Sequence, residues 1–236
     1  THDAVRWLWE VWETMVREIP RPDLVVLNGD LVDGHQSRNK STGILTACMA
    51  EQVEIAIDAL KPLMKRCRKA VRLQGTSYHE AFDGALQAID IEYGIWRPQN
   101  PAQHTAIDIA LGDGVGLHVK HQPEGEAALY EGTVRDREIL WANIAEYIHK
   151  LPQAHFLVRS HVHHFTRFDN FEKEIVVTPC WSLQAPYALN KKYYRWIPHL
   201  GVVWMERDKH EDLGWRIRKR VIKPEAPVQV EYADIA

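Results

Sequence analysis

The stretch Asp23-Leu-Val-Val-Leu-Asn-Gly-Asp-Leu-Val-Asp-Gly34 decides the fold. Its short, continuous apolar run is typical of a strand that is covered on both faces of a parallel sheet. A helix with apolar residues at a spacing of three to four precedes it from Asp3 to Ile19, and Pro20 and Pro22 end that helix. We therefore expect a helix, a buried strand, and then a loop that begins at Asn28-Gly29-Asp30.

The rest of the chain alternates helices with strands in its first half and pairs strands in its second half. Helices are expected at about 43–67, 80–92 and 133–150, and strands at 70–74, 104–111, 115–121, 155–159, 174–178, 200–207 and 215–222. Pro62 is a candidate kink or break in its helix, and Gly112-Asp113-Gly114 is a strong hairpin signal. The pattern predicts an α/β sandwich of mixed β-sheets flanked by helices, in a single domain over 1–236.

Composition excludes several classes of protein. The chain has 236 residues, of which 45% are hydrophobic and 26% charged, and this composition argues against a disordered or collagen-like protein. Its 29 Lys and Arg against 32 Asp and Glu give a net charge of −3. A strongly basic nucleic-acid binder is therefore excluded, whereas a local basic groove is not. No run of about 18 apolar residues is present, so no membrane partner is expected.

The cysteines indicate the redox compartment. Cys48, Cys67 and Cys180 are far apart and form no C-x-x-C pair. This spacing supports neither a zinc ribbon nor a disulfide framework. We expect buried thiols in a reducing compartment, and therefore a cytoplasmic protein.

Candidate metal ligands follow four of the predicted strands. They are Asp30 and Asp33, then Thr76 and His79, then His121, and finally His161, His163 and His164. The carboxyl ends of parallel strands converge on one crevice in open α/β sheets, so these side chains are expected to lie together. A carboxylate with several neutral imidazoles suits manganese, iron, cobalt, nickel or zinc better than calcium or magnesium.

The order of these residues resembles the calcineurin-like metallophosphoesterase family, whose pattern reads D-x-H, G-D-x-x-D, G-N-H-E/D, a lone His, and G-H-x-H. Gly29-Asp30-Leu31-Val32-Asp33 matches the second element, and His121 matches the lone His. Ser160-His161-Val162-His163 matches the last element with Ser in place of Gly. The segment Pro179–Tyr187 also looks like phage-encoded members of the family. The resemblance implies a four-layer-type α/β sandwich of the metallophosphoesterase kind.

The resemblance also implies a dinuclear metal centre. Asp30 would bridge two divalent transition-metal ions, His121 and His161 would bind one of them, and His163 would bind the other. Manganese is the metal expected first, with iron, zinc, nickel and cobalt as alternatives. Such a centre activates hydroxide for attack on a phosphate mono- or diester, without a phosphoenzyme intermediate.

Two catalytic roles follow from the same resemblance. Asp33 would hydrogen-bond His79 and fix its tautomer. His79 would then stabilise the phosphoryl oxygens or protonate the leaving alkoxide.

The sequence departs from the family pattern at two elements. Gly75-Thr76-Ser77-Tyr78-His79 lacks the usual Asn ligand. Thr76 or a water would take its place, and Thr76 is not counted as a ligand. The D-x-H element is also absent. We expect a sequence truncated at its N-terminus, with one crippled metal site as the alternative.

Structural interpretations remain open beside these roles. Asp30 and Asp33 could cap the backbone of a turn. Either His118 or His121 could be a buried core imidazole, although its position after the strand favours His121 as the ligand.

Two further segments bear on the substrate. The loop from Trp181 to Trp196 interleaves aromatic rings with Lys191, Lys192 and Arg195, which suits stacking on nucleic-acid bases or packing over the sheet edge. Three arginines alternate within one predicted strand, and a solvated face is the default there: Arg216, Arg218 and Arg220.

The leading hypothesis is therefore a cytoplasmic metal-dependent phosphoesterase, with a nuclease that acts on DNA or RNA as its main branch. The alternative is a non-catalytic metal- or nucleic-acid-binding domain on a degenerate phosphoesterase scaffold. The substrate, the native metal and the oligomeric state stay open at this point.

Overall fold

A computed structural model describes residues 3–36, 44–81, 83–98, 104–125, 130–183 and 197–224 of the chain. The helices are α1 (Asp3–Glu18), α2 (Met49–Met64), α3 (Asp83–Tyr93) and α4 (Glu131–Tyr147). The strands are β1 (Leu24–Asn28), β2 (Lys69–Leu73), β3 (Ala106–Gly112), β4 (Val115–Lys120), β5 (Phe156–Arg159), β6 (Thr166–Asp169), β7 (Glu174–Val177), β8 (Leu200–Arg207) and β9 (Trp215–Ile222).

The described strands form three groups. β1 and β2 are parallel, with α2 as the crossover between them. A five-stranded sheet has the order β3-β4-β5-β7-β6, in which the three central strands are parallel and both edge strands run antiparallel to their neighbours. β8 and β9 form an antiparallel pair. The five-stranded sheet is therefore mixed, as the sequence predicts.

The hydrophobic core is layered. α2 and α3 bury residues such as Leu60 and Ile89 against the β1–β2 pair. A second cluster joins Leu73 of β2 and Ile217 of β9 to the strands of the five-stranded sheet. α4 covers the other face of that sheet through a third cluster that includes Ile139. The order of layers is helix, sheet, sheet, helix, which confirms the predicted α/β sandwich.

The remaining helix, α1, lies beside the first sheet. Val16 and Ile19 pack with Leu63 of α2, and Val202 and Trp204 of β8 lie against the same cluster. The apolar spacing that predicts α1 therefore marks a real buried face.

Several predicted elements differ from the observed ones in their bounds. α2 begins at Met49, and Pro62 lies in its last turn without interrupting it before Met64. Proline removes one backbone hydrogen bond, and near a helix end that loss is small. The hairpin at Gly112-Asp113-Gly114 is confirmed, with positive φ at all three residues. None of the helices in the described ranges is long and apolar enough to cross a membrane.

The topology brings two sets of strand ends together. β1 and β2 run in the same direction, and so do β4, β5 and β7. His121, directly after β4, contacts the backbone of Asn28 at the end of β1. The carboxyl ends of both parallel sets therefore meet at one edge of the sandwich, where the predicted site residues lie.

Candidate metal centre

Two glycines allow the ends of β1 and β2 to approach closely. A Cβ on Gly29, which has a φ of +77°, would lie 2.5 Å from both Gly75 Cα and His121 Nδ1. A Cβ on Gly75 would lie 2.2 Å from Asp30 N and from Asp30 Oδ1. No other residue fits these positions without displacing the neighbouring chain. The close approach holds Asp30 in a left-handed conformation, with a φ of 54°, above the end of β2.

The loop after β2 orients the Asp30 carboxylate. The backbone N–H of Thr76 donates to Asp30 Oδ1 at 2.7 Å, and the Thr76 hydroxyl donates to the same oxygen at 3.1 Å. The other oxygen, Oδ2, lies 3.0 Å from His121 Nε2 and 3.7 Å from His161 Nδ1. Thr76 therefore acts on the carboxylate, and it leaves one oxygen directed at two imidazoles.

The tautomer of His121 follows from its second nitrogen. Nδ1 lies 2.5 Å from the carbonyl oxygen of Asn28, so Nδ1 carries the proton and donates. In the neutral ring Nε2 is then an acceptor, and it faces another acceptor, Asp30 Oδ2, at 3.0 Å. Both atoms are buried and have no hydrogen-bond partner among the described residues. The contact is favourable only with a cation there, either a second proton on the ring or a metal ion.

The separations of the three groups fit the ligand shell of one metal ion. The candidate ligand atoms of Asp30, His121 and His161 all lie within 4.8 Å of one another. Ligands about 2.1 Å from a common ion lie about 3.0–3.6 Å apart when their angle at the ion is between about 90° and 120°. The observed 3.0 and 3.7 Å are close to that range. The three residues could therefore hold a divalent ion.

The backbone of the last motif is strained. His161 has a φ of 73° and His163 a φ of 61°, a left-handed region that non-glycine residues seldom adopt. Strain of this kind costs roughly 1–3 kcal/mol per residue and is concentrated at functional sites. The strained turn directly after β5 places His161 beside Asp30.

Electrostatics at the centre favour a charged carboxylate. Burial opposes ionisation of Asp30, but hydrogen bonds and charges from His121 and His161 more than offset it and hold the pKa of Asp30 well below its usual range. Burial would also lower the pKa of His121, yet the Asp30 carboxylate outweighs burial and raises that pKa. In the absence of metal, the two residues form an ion pair while the pH is below the raised pKa of His121, and a metal ion would displace the second proton of the ring.

His163 lies near this trio but does not join it. It is absent from the cluster of three, although the charges of Asp30, His121 and His161 all act on its ring. Burial lowers the pKa of His163 to about 4, so the ring is neutral at neutral pH. A neutral imidazole is the form that binds a metal ion.

His79 contacts Asp33 in a different way from the one expected. His79 Nδ1 donates to the backbone carbonyl oxygen of Asp33 at 2.9 Å, and not to the carboxylate. Gly34, with a φ of +71°, turns this part of the chain against His79, since a Cβ on Gly34 would lie 2.4 Å from His79 O. The carbonyl fixes the same tautomer that a carboxylate would fix. Burial raises the pKa of Asp33.

Two supporting residues were missed from the sequence. Glu80 is 1% exposed, accepts from Leu31 N at 2.9 Å and from Gly75 N at 2.7 Å, and so ties the loops after β1 and β2 together. Asn28 donates to Ser160 Oγ at 2.7 Å and to Lys120 O at 3.1 Å, which links both sheets. Two features of the sequence could have indicated these roles: Glu80 is an acidic residue directly after His79, and Asn28 directly precedes Gly29.

Two other sequence interpretations concern neighbouring residues. His118 pairs with Asp108 across the β3–β4 hairpin, with His118 Nδ1 2.7 Å from Asp108 Oδ1, so it is a satisfied imidazole away from the centre. Trp181 packs edge-on against Trp12 with ring centroids 4.8 Å apart. The rest of the aromatic and basic loop, 184–196, including Lys191, Lys192 and Arg195, lies outside the described residues.

Comparisons with known proteins give weak likenesses. No protein-family model matches the chain, and no curated protein matches it. Among solved structures, a single-mutant Vps29 from Entamoeba histolytica has a TM-score of 0.44 at 10% identity, covering 90% of this chain and 89% of its own. Wild-type Vps29 from the same organism, complexed with Zn²⁺, has a TM-score of 0.40 at 10% identity, covering 84% and 98%.

A third solved structure is the sulfate thiohydrolase SoxB from Thermus thermophilus, in complex with glycerol. It has a TM-score of 0.39 at 13% identity, covering 85% of this chain and 38% of its own. With TM-scores below 0.5, none of the three decides what this chain does.

Proposed function

We propose that this chain is a metal-dependent phosphoesterase that hydrolyses a phosphate mono- or diester. One observation carries the proposal: Asp30 Oδ2 and His121 Nε2, both buried acceptors in the neutral form of the ring, face each other at 3.0 Å. This contact is favourable only with a cation between the two atoms, either a second proton on the ring or a metal ion. The donor set around it, one carboxylate with imidazoles, suits a divalent transition metal.

Two metal ions are proposed at this edge of the sandwich. Asp30, His121 and His161 would hold the first ion, and Asp30 and His163 would hold the second. Manganese is the proposed metal, with iron, zinc, nickel or cobalt as alternatives. When bound, the ions would polarise the phosphoryl group, lower the pKa of water and offset the charge of the attacking and leaving oxygens.

The other groups of the chain would act on the substrate and hold the ligands. His79 has its Nδ1 proton fixed by the Asp33 carbonyl, so Nε2 is the nitrogen that can accept or deliver a proton. His79 is also close enough to Asp30 to lower the pKa of that carboxyl. We assign it contact with the phosphoryl oxygens and protonation of the leaving oxygen. Thr76 and Glu80 would keep the carboxylate and its loop in place.

The test is hydrolysis of p-nitrophenyl phosphate and bis-(p-nitrophenyl) phosphate with Mn²⁺ and with EDTA. His161→Ala is expected to lower Mn²⁺-dependent kcat/KM at least about 100-fold, because it removes a metal ligand. His210→Ala is the matched control, since His210 lies exposed in the turn between β8 and β9, and it should stay within twofold.

Two outcomes would contradict the proposal. Absence of metal-dependent hydrolysis of either ester would reject the enzyme, and tight Mn²⁺ binding in that case would favour the non-catalytic metal-binding domain. Equal activity of His161→Ala and the unmodified chain would reject the assignment of the site.

A further inference from the structure

The five basic residues from Arg216 to Lys223 on and after β9 divide between two faces. Arg216, Arg218 and Arg220 share one face, and acidic side chains neutralise them there. Arg216 lies 3.6 Å from Asp208, Arg218 lies 2.7 Å from Glu206, and Arg220 lies 3.1 Å from Glu18. The three arginine side chains are between 39% and 55% exposed, so this face is solvated as the sequence interpretation expects, and its cations are already paired.

The other face carries Lys219 and, one residue past the strand, Lys223. It is the face of Ile217, which is 3% exposed in the cluster between the sheets, so this row of side chains emerges at the rim of the sandwich. Both lysines are exposed. Neither has a carboxylate partner within ion-pair distance in the part of the chain that the structure describes. Lys219 Nζ lies 4.2 Å from the centre of the Phe165 ring.

A histidine lies beside these lysines. β8 and β9 pair with Leu200 opposite Ile222, so one further step places His199 opposite Lys223. His199 Nδ1 accepts from Phe165 N at 3.0 Å, which leaves its Nε2–H as a donor. The charges of Lys219 and Lys223 both act on the His199 ring, and Glu131 is an acid close enough to act on it as well.

This group adjoins the candidate metal centre. His199 N donates to His163 O at 2.9 Å, so β8 is tied directly to the turn that carries the candidate ligands. The ring of His164, the next residue along that turn, packs edge-on against His199 with centroids 4.9 Å apart. His199, with the two lysines whose charges act on it, therefore lies next to the turn that carries His161 and His163.

We propose that Lys219, Lys223 and His199 form a phosphate-holding patch that binds a phosphate next to the scissile one in a nucleic-acid strand. The inference rests on the proposed function, because it needs the scissile phosphate at the metal centre. Phosphates recur at every nucleotide of a strand, whereas a small monoester has none to offer to a second site. The substrate class is thus a polynucleotide, and the chain would act as a nuclease.

The first experiment measures binding without catalysis. Fluorescence anisotropy measures the affinity for labelled oligo-dT and oligo-rU in EDTA. The unmodified chain is compared with the double variant Lys219→Ala/Lys223→Ala. The control is Arg218→Ala/Arg220→Ala, which removes the same number of charges from the opposite face of β9. The lysine variant is expected to bind at least about tenfold more weakly, and its slope of log K against log salt should be about 1.4 smaller in magnitude. The arginine variant should stay within about threefold.

Equal affinity and equal salt slope for the two double variants would overturn the patch, whatever the activity of the chain. A loss confined to the rU strand would assign the patch to RNA, and a loss confined to dT would assign it to DNA. Either result supports the proposal.

A second measurement separates this proposal from the proposed function. The ratio of kcat/KM for the oligonucleotide to kcat/KM for bis-(p-nitrophenyl) phosphate is expected to fall about tenfold in the lysine variant and to stay unchanged in the arginine variant. Hydrolysis of the small diester with no such fall would reject the patch and keep the phosphoesterase. Loss of strand binding in a lysine variant of a chain without any hydrolytic activity would keep the patch and reject the phosphoesterase.

Discussion

Replacement of Gly75 by alanine tests how the close approach of two strand ends builds the centre. The new Cβ would lie 2.2 Å from Asp30 N and Oδ1, whereas ordinary contact begins near 3.4 Å. The difference, 3.4 − 2.2 = 1.2 Å, is the separation that the two loops must gain. Metal shells tolerate departures of only about 0.2 Å in ligand distance. Asp30 would therefore leave its position relative to His121.

Two quantities should change in Gly75→Ala. The affinity for Mn²⁺ or Zn²⁺ should fall about 10–100-fold, which corresponds to about 1.4–2.8 kcal/mol of binding free energy. Losses of this size are typical when a residue that orients a metal ligand is removed. The free energy of unfolding should fall by about 1–3 kcal/mol, because the extra methyl group would meet the backbone of Asp30 and overpack the site. Isothermal titration calorimetry measures the first quantity, and urea denaturation in EDTA measures the second.

Gly84→Ala is the matched control. Gly84 lies in α3 with nothing within 4 Å of the new Cβ, so metal affinity should stay unchanged and stability should rise by up to about 1 kcal/mol. Metal affinity of Gly75→Ala within twofold of the unmodified chain would refute the reasoning, because the ligand position would then not depend on the approach of the two loops.

Three further predictions follow from the site and its surroundings. Thr76→Val should weaken metal binding about 10-fold while Thr76→Ser should keep it, since only the hydroxyl contact to Asp30 differs, and equal affinities would reject that role. The Cys48 thiol is exposed, whereas burial raises the pKa of Cys180 to about 11, so Ellman's reagent should modify Cys48 first, and the reverse order would contradict the fold near β8. In EDTA, the raised pKa of His121 means that its pairing with Asp30 stabilises the fold fully below pH 6.5 and is lost as the pH rises through that raised pKa. The lowered pKa of Asp30 means that the carboxylate's contribution is present above pH 3.8 and is lost only as the pH falls through the lowered pKa. Urea denaturation should show stability decreasing above pH 6.5 in the unmodified chain but not in Asp30→Asn, and parallel profiles would contradict the ion pair.

The elements that the sequence predicts well are those with strong local patterns. The continuous apolar run of β1 and the glycine-rich turn between β3 and β4 specify their structures without reference to the rest of the chain. β6 was missed because it is a four-residue edge strand with alternating exposure, Thr166–Asp169, that exists only through its pairing with β7.

The site shows the same division between local and tertiary information. The order of motifs along the chain predicted Asp30, His121 and His161 as metal ligands. The strand ends place the candidate ligand atoms of these residues within 4.8 Å of one another. The prediction that the Asp33 carboxylate accepts from His79 was wrong in the accepting atom. The turn at Gly34 brings the backbone carbonyl of Asp33 to His79 in place of its carboxylate. Side-chain conformations of this kind depend on packing between distant segments, which spacing along the chain does not contain.

The central claim is that Asp30, His121 and His161 hold a divalent metal ion. A crystal of the chain grown with Mn²⁺ tests it most directly, through anomalous difference density collected near the manganese edge. A peak is expected about 2.0–2.3 Å from Asp30 Oδ2, His121 Nε2 and His161 Nδ1. A structure at saturating Mn²⁺ with no anomalous peak between these three atoms would contradict it.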